Sequence, residues 1–174
     1  MRIRKRHRLR RKEIEELARE LESSFGLRPF TEEESVERAE GPEVDVVFVK
    51  GEPLVGVWEG RASFTVKGLL HYHPTRRFVT VDMGAVPFVC NGADVMGPGI
   101  VAADPEIREG DFVWVRDERN QRPLAVGRAL RDGQGLLAKE KGKAVRTLHY
   151  VGDPLWKVGE EEPAPASTEE PSAE

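Results

Sequence analysis

The chain has 174 residues, enough for one domain or two small ones, and 33% of them are charged. Its apolar runs are far shorter than the ~20 residues of a membrane helix, and residues 1–12 are followed by acids where a signal peptide needs an apolar run. A lone cysteine, Cys90, excludes an internal disulfide and a zinc finger. We therefore expect a cytoplasmic protein that makes no membrane contact.

Charge is distributed unevenly along the chain. The net charge is −4, yet residues 1–12 carry eight Lys or Arg and no acid, whereas residues 159–174 carry six Glu and no base. We interpret 1–12 as a basic arm, which is either a solvated tail or, as we favour, a contact to RNA phosphates through residues that include Arg4, Lys5 and Arg6. The segment 159–174 is predicted to be a disordered acidic tail, because it has too little apolar surface to offset the entropy of ordering.

Residues 13–77 are predicted to form an α+β domain. The first helix is indicated by apolar residues at helical spacing, and Gly26 closes it. These residues are Leu9, Ile14, Leu17, Leu21 and Phe25. A second short helix is predicted to begin at Thr31, which has capping-box spacing to Glu34, and to end near Gly41.

Three β-rich runs follow over residues 44–66, and they are broken at Gly51 and Gly60. This pattern predicts an antiparallel meander. The next stretch, SFTVKGLLHYHP at 63–74, fits either a helical turn or a strand, and Pro74 limits how far either can extend.

From residue 78 to 158 the sequence pattern changes to short apolar runs separated by Gly, Pro and Asp. The runs are FVTVD, PGIVAAD, DFVWVRD, PLAVGRAL and VRTLHYV. Five such strands predict a small mixed β pseudo-barrel, interrupted by one helix over about 84–91.

The string VDMGAVPFVCNGADVMGPGI at 81–100 resembles the opening of a PUA domain, in which a strand, a glycine, a short helix and a turn lead to the second strand. Together with LLHYHP before it and LHYVGDPLW at 148–156, it is similar to the malignant T-cell-amplified family and its archaeal and fungal relatives. Those proteins carry a pre-PUA domain ahead of a PUA domain and act in translation. The resemblance therefore implies a pre-PUA unit at 13–77 and a PUA domain at 78–158.

The resemblance also implies which exposed positions face RNA. They are Met83, Gly84, Ala85, Asn91, Gly92, Ala93, Asp94 and Met96. Glycines allow a close approach of the backbone to a ligand, and the start of a helix at Gly84 would offer free N–H groups to a phosphate. The alternative is that the glycines are only turn and cap residues, and for Gly92 this structural interpretation is slightly favoured.

Arginines near this surface are candidate phosphate contacts, although each is also compatible with a solvated surface charge. They are Arg76, Arg77, Arg128 and Arg131.

The sequence excludes a phosphate-binding P-loop and gives little support for a metal site. The spacing of Gly92 and Gly97 resembles a P-loop, but Pro98 occupies the position of its lysine. His71 and His73 would share one face of a strand, yet no third metal ligand accompanies them at a diagnostic spacing. We expect no catalytic constellation, no enzyme activity and no cofactor.

Two functions fit these observations. The first is a translation factor that binds the tRNA acceptor end or the small ribosomal subunit during initiation or recycling, with a translation-factor protein as a further possible partner. The second is an RNA-binding accessory subunit of an enzyme that modifies tRNA or rRNA. Both make structured RNA the partner.

Overall fold

The computed structural model describes residues 1–161, which form two sheets with helices packed against them. The first sheet is antiparallel throughout, and its strands follow chain order. They are β1 (Arg4–Arg8), β2 (Val36–Glu40), β3 (Asp45–Val49), β4 (Glu52–Trp58) and β5 (Arg61–Phe64). Helix α1 (Arg11–Phe25) precedes β2, and helix α2 (Val66–Tyr72) follows β5. The predicted α+β class and the meander of β3, β4 and β5 are confirmed.

Strand β1 shows that residues 1–12 are not a solvated tail, whereas the RNA contact predicted for them stays a prediction. Its backbone pairs with β2, with Arg4 opposite Glu40. Directly after the strand, the Leu9 N–H donates to β2 at 2.9 Å, and the Leu9 side chain is buried. Charged side chains on an edge strand hinder its pairing with a second chain, which accounts for a strand made only of Arg, Lys and His.

Helix α1 begins two residues later than the apolar pattern alone suggests. The Arg10 N–H donates to the Glu13 carboxylate at 2.8 Å, and Gly26 ends the helix in the left-handed region with φ = 85°. One face of the helix is buried on the sheet. Its buried residues are Ile14, Ala18, Leu21 and Phe25.

The second predicted helix, from Thr31 to Gly41, is wrong. The Thr31 N–H does donate to the Glu34 carboxylate at 3.0 Å, as in a capping box, but the chain makes only a turn there. Residues 36–40 then form β2 between β1 and β3, where both of its edges are hydrogen bonded. Pairing with β3 across the sheet therefore prevails over a local helix signal.

The ambiguous stretch at 63–74 resolves into the end of β5 and helix α2. Thr65 caps the helix, because its hydroxyl accepts a hydrogen bond from the Gly68 N–H at 3.0 Å. Helix α2 packs closely on β4. A Cβ added at Gly68 would lie 2.0 Å from the carbonyl oxygen of Leu54.

We expect Gly68→Ala to lower the free energy of unfolding by about 1–3 kcal/mol, because the new methyl group forces α2 away from the backbone of β4. Gly84→Ala is the matched control. Its Cβ would meet only the Asp82 carboxylate, at 3.4 Å, and a change within about 0.5 kcal/mol is expected. Urea unfolding monitored by circular dichroism measures both, and equal midpoints would contradict this account of the packing.

The second sheet contains six strands, of which only one pair is parallel. In chain order they are β6 (Phe78–Val81), β7 (Val95–Met96), β8 (Ile100–Ala103), β9 (Phe112–Asp117), β10 (Pro123–Ala129) and β11 (Lys143–Tyr150). Their spatial order is β7-β11-β10-β9-β6-β8, with β6 and β9 parallel. The five predicted strands are confirmed, whereas the two-residue strand β7 was not predicted.

Three short helices accompany this sheet. They are α3 (Val86–Val89), α4 (Gly133–Leu137) and α5 (Pro154–Glu161). The predicted helix over 84–91 is therefore only four residues long, and α4 and α5 were not predicted. Because Gly159 and Glu160 belong to α5, the predicted disordered tail begins too early, and its remainder at 162–174 lies outside the described residues.

The two sheets share one apolar core at their junction. Phe112 and Val126 of the second sheet are buried together with Trp58 of the first, and the rings of Trp58 and Phe112 are 5.7 Å apart. Helix α5 adds Leu155 and Val158 to the same cluster. The chain within residues 1–161 contains no helix long and apolar enough to cross a membrane.

His149 connects strand β11 to the start of helix α2 by a buried hydrogen bond. Its side chain is 1% exposed, and its Nε2 accepts from the Val66 N–H at 3.1 Å. Because Nε2 is an acceptor, the proton must be on Nδ1, which donates to the Asp153 carboxylate at 3.0 Å. The imidazole is thereby fixed as one neutral tautomer.

Asp153 is the other member of this pair. Burial alone would raise the pKa of Asp153, but hydrogen bonds from His149 and from the N–H groups of Trp156 and Tyr150 outweigh burial and hold the pKa below its usual value. The carboxylate thus caps α5 and holds His149 at the same time.

Candidate nucleic-acid interface

The loop over residues 83–96, called here the 83–96 loop, leaves the end of β6 and contains α3. Two of its first N–H groups are already hydrogen bonded. The Met83 N–H donates to the Glu118 carboxylate at 2.9 Å, and the Ala85 N–H donates to Asp82 at 2.9 Å. These bonds, and the four-residue length of α3, contradict the idea that a helix start at Gly84 offers free donors to a phosphate.

Gly92 has a structural role that is visible in its surroundings. Its φ is 89°, a backbone conformation that side chains other than glycine rarely adopt. An added Cβ would lie 2.7 Å from Cε1 of Tyr150, so the ring of Tyr150 packs directly on the Gly92 backbone. A bulky residue at this position would disturb the fold, and it is therefore a poor test of RNA contact.

The end of the 83–96 loop is fastened to strand β11. The Thr147 N–H donates to the Asp94 carboxylate at 2.9 Å, and the Thr147 hydroxyl donates to the Ala93 carbonyl at 2.9 Å. Lys143 Nζ lies 3.1 Å from the same carboxylate. Asp94 is therefore occupied by β11, and the loop is held rigidly along this strand.

Among the positions predicted to face RNA, four are exposed and four are half-buried. The exposed ones are Gly84, Asn91, Ala93 and Met96, and the half-buried ones are Met83, Ala85, Gly92 and Asp94. The most exposed large apolar residue of the loop is Phe88, at 66%, which the sequence did not single out. The loop thus presents an aromatic ring and small residues to solvent.

The predicted arginine contacts do not converge on this loop. Arg76 and Arg77 precede β6, whereas the loop follows it, so they lie at opposite ends of that strand. Arg77 is also ion paired with Asp111 at 3.4 Å. Arg76 shares a polar cavity with Arg77, Ser24 and other residues beside the end of α1.

Arg128 and Arg131 are both used within the fold. Arg128 lies 3.8 Å from the Glu59 carboxylate and over the ring of Phe112. Arg131 donates to the carbonyl oxygens of Glu140 and Lys141, at 3.1 and 3.0 Å. It holds the segment that leads into β11, so its contribution to RNA binding would be indirect.

A group of basic side chains beside the loop, called here the basic edge, was not predicted from the sequence. Its members are Lys139, Lys141, Lys143 and Arg146, and all four are exposed. Strand register places Lys143 opposite Met96 of β7, at the end of the 83–96 loop. The concentration of lysine in KEKGK at 139–143 was the signal in the sequence that could have found them.

The basic residues of β1 are partly neutralised by β2. Arg6 is bound to the Glu37 carboxylate at 2.7 Å and its guanidinium covers the ring of Phe48 at 3.8 Å. Arg4 and Lys5 both lie near Glu40, at 3.9 and 4.0 Å. The three residues predicted for RNA contact therefore also fasten β1 to its sheet.

Other reactive groups offer no alternative site. Burial raises the pKa of the half-buried Cys90 thiol, which disfavours the thiolate form. His71 lies in α2 and His73 ends it, so they do not share a strand face. Within residues 1–161 no cluster of three His, Cys, Asp or Glu side chains is arranged to hold a metal ion.

A small curled β sheet with a short helix and a glycine-containing loop fastened to its last strand defines the class of this fold. A family model for the PUA domain matches residues 77–151, and the chain belongs to the PUA-domain proteins. It is similar over almost its whole described length to uncharacterized protein MJ1432 of Methanocaldococcus jannaschii. The two are 40% identical over 158 residues, which cover 90% of this chain and 98% of that protein.

Solved structures agree with this assignment. The crystal structure of hypothetical protein PH0734.1 from Pyrococcus horikoshii superposes with a TM-score of 0.82 at 36% identity, covering 88% of this chain and 99% of that one. Both sheets of the present chain therefore have a counterpart in a single related protein.

Two relatives from eukaryotes match about half of their own length. Translation machinery-associated protein 20 of Saccharomyces cerevisiae is 33% identical over 89 residues, which cover 48% of this chain and 49% of that protein. Malignant T-cell-amplified sequence 1 homolog of Drosophila melanogaster is 40% identical over 95 residues, which cover 51% of each chain. The resemblance seen in residues 81–100 is confirmed.

Proposed function

We propose that this chain is a non-enzymatic RNA-binding protein of translation, which holds the acceptor end of tRNA or a helix of small-subunit ribosomal RNA. The observation that carries the proposal is the rigid 83–96 loop with the basic edge beside it. A loop of small residues allows the RNA backbone to approach closely, and exposed Lys and Arg neutralise its phosphates. The names of the eukaryotic relatives support translation as the setting.

The described body is not a general polyanion binder. Outside residues 1–12 and 159–174 the chain holds 19 basic and 25 acidic residues. Affinity for RNA must therefore come from local positive charge and from shape, and both are present where Lys143 and Arg146 flank the loop.

Replacing Lys143 and Arg146 together by Gln is expected to weaken RNA binding and to flatten its dependence on salt. Each lost phosphate contact reduces the slope of log K against log salt by about 0.7–0.9. Fluorescence anisotropy with deacylated tRNA, with tRNA lacking its terminal CCA, and with purified small subunits, each at several salt concentrations, measures the effect.

The matched control replaces Arg19 and Lys50 by Gln, which removes the same charge from exposed positions of the first half of the chain. The control is expected to bind RNA as the natural protein does. An equal loss of RNA affinity in both variants would show that binding depends on net charge alone and not on the basic edge. Cosedimentation with small subunits supports the translation role, whereas recovery only with an RNA-modifying enzyme would overturn it.

A further inference from the structure

The basic side chains on and beside strand β1 form an exposed surface that is neutralised only in part. This surface, called here the β1 surface, consists of Arg2, Arg4, Lys5, Arg6 and Arg8, all of them exposed. Within residues 1–161 these five side chains are ion paired with two carboxylates, those of Glu37 and Glu40. Three positive charges are therefore in excess at this edge of the first sheet, where β1 has a neighbouring strand on one side.

Helix α5 ends beside the β1 surface. Gly159 in its last turn lines a cavity of about 330 Å³ together with Arg6. Lys67 holds this turn in place, because its Nζ donates to the Trp156 carbonyl oxygen at 2.9 Å and lies 4.0 Å from the Glu160 carboxylate. The chain that follows helix α5 therefore begins next to the β1 surface.

The segment that follows, residues 162–174, has the charge of a ligand for this surface and is called here the acidic segment. It contains four Glu and no Lys or Arg, and its other residues are Ala, Pro, Ser and Thr. Without a large apolar side chain, it is suited to a charged surface and not to an apolar groove. Its 13 residues can span up to about 43 Å, whereas the five residues of β1 are about 17 Å long. The acidic segment is therefore long enough to lie along the whole strand.

The basic edge is the other positive surface that could attract the acidic segment. Lys143 begins β11, whereas α5 follows the end of that strand, so the eight residues of β11, about 26 Å, lie between them. A contact close to the point where a segment is attached closes a shorter loop and costs less chain entropy. The position of α5 therefore favours the β1 surface over the basic edge.

One carboxylate opposes this contact. Glu52 is exposed and lines the same cavity as Arg6. Lys67 lines that cavity as well, so the cavity has one positive charge in excess. The repulsion by Glu52 is thus offset before the charges of the rest of β1 are counted.

We propose that the acidic segment binds the β1 surface of the same molecule, and that its Glu carboxylates occupy the positions that phosphates would otherwise take there. The acidic segment is then an internal competitor, which lowers the affinity of β1 for polyanions and leaves the basic edge open to RNA. This inference goes beyond the proposed function, because the contact forms without RNA and can be measured without it.

A spin label in the acidic segment tests the contact directly. The full chain carries Thr168→Cys with a nitroxide, and Cys90→Ala confines the label to that position. The label is expected to broaden the amide NMR signals of residues 2–8 and to leave those of the basic edge sharp. The broadening should be lost at about 1 M salt, where charges are screened beyond about 3 Å. Broadening at the basic edge instead, or at no particular surface, would overturn the proposal.

A mixed sample separates contact within one molecule from contact between two. Spin-labelled protein without isotopes is combined with isotope-labelled protein that carries no nitroxide. Residues 2–8 of the isotope-labelled protein are expected to stay sharp. Broadening as strong as in the singly labelled chain would show that the acidic segment binds a second copy, which would overturn the intramolecular contact.

Substitutions that remove charge from the acidic segment test the competition. The variant replaces Glu169, Glu170 and Glu174 by Gln, and the control replaces the exposed Glu59, Glu106 and Glu109 by Gln. The variant is expected to bind a short uridylate oligonucleotide about 3- to 10-fold more tightly at low salt, since each exposed ion pair contributes little. The control should change this affinity far less. An equal rise in both proteins would reflect net charge alone, and no rise in either would show that the acidic segment does not compete. Both results would overturn the competition.

Discussion

Asp153→Ala is expected to lower the free energy of unfolding by about 2–4 kcal/mol, because it leaves the buried Nδ1–H of His149 without an acceptor and removes the cap of α5. The substitution leaves His149 buried without its partner and removes the acceptor for the N–H groups of Tyr150 and Trp156. Because His149 also accepts a hydrogen bond from the Val66 N–H, the attachment of helix α2 to β11 loosens at the same time. Equilibrium unfolding in guanidinium chloride measures the change.

Asp132→Ala is the matched control for this prediction. Asp132 also caps a helix, and its carboxylate accepts from the Gly135 N–H at 2.8 Å, but it is exposed and has no histidine partner. Loss of an ordinary cap costs about 1 kcal/mol. If both substitutions lowered the free energy of unfolding equally, the pairing of Asp153 with His149 would contribute nothing beyond the cap of α5.

The pH dependence of stability supplies a second measurement on the same pair. The pKa of Asp153 is lowered in the folded protein from its usual value of 3.8, so its contribution is complete above that value. It is lost as the pH falls from there through the folded pKa. We expect the difference in stability between the natural protein and Asp153→Ala to shrink in that acidic window, whereas a constant difference would contradict the carboxylate's role.

The sequence predicted those parts of the fold whose signals are local. Alternating or continuous apolar runs gave the meander and five strands of the second sheet, and apolar spacing with Gly26 gave α1. The errors arose where distant pairing decides the structure. Residues 4–8 have no apolar pattern at all, and they form a strand because β2 offers an edge and Leu9 is buried behind it.

The sequence predicted which segment forms the candidate site, but not which residues come together there. The string at 81–100 located the loop. It did not show that Asp94 accepts a hydrogen bond from Thr147, or that Arg131 is hydrogen bonded to backbone carbonyls. The contact of Asp94 depends on β11, which lies about 50 residues further along the chain, and that of Arg131 depends on a turn 9 and 10 residues away. Register between β7 and β11 also brought Lys143 to the loop, and no local pattern could predict that register.

Phe88→Ala is expected to weaken binding of structured RNA by about 5- to 100-fold, the range measured for loss of one base–aromatic stack. The Phe88 ring is 66% exposed on α3, so its face is open to a stacking base. Its backbone carbonyl accepts from the Ala93 N–H at 3.0 Å, so α3 is tied to the segment that is fastened to β11. Anisotropy titrations with deacylated tRNA and small subunits measure the loss.

Two further substitutions separate stacking from simple apolar contact. Phe88→Trp keeps a flat ring and is expected to bind RNA at least as tightly as the natural protein, whereas Phe88→Leu keeps apolar area without a ring and should resemble Phe88→Ala. Because the side chain is exposed, none of the three should change the unfolding midpoint appreciably. If Leu and Trp at this position bound RNA equally well, the ring would serve a protein partner or none, and the RNA surface would consist of the basic edge and the small residues of the loop.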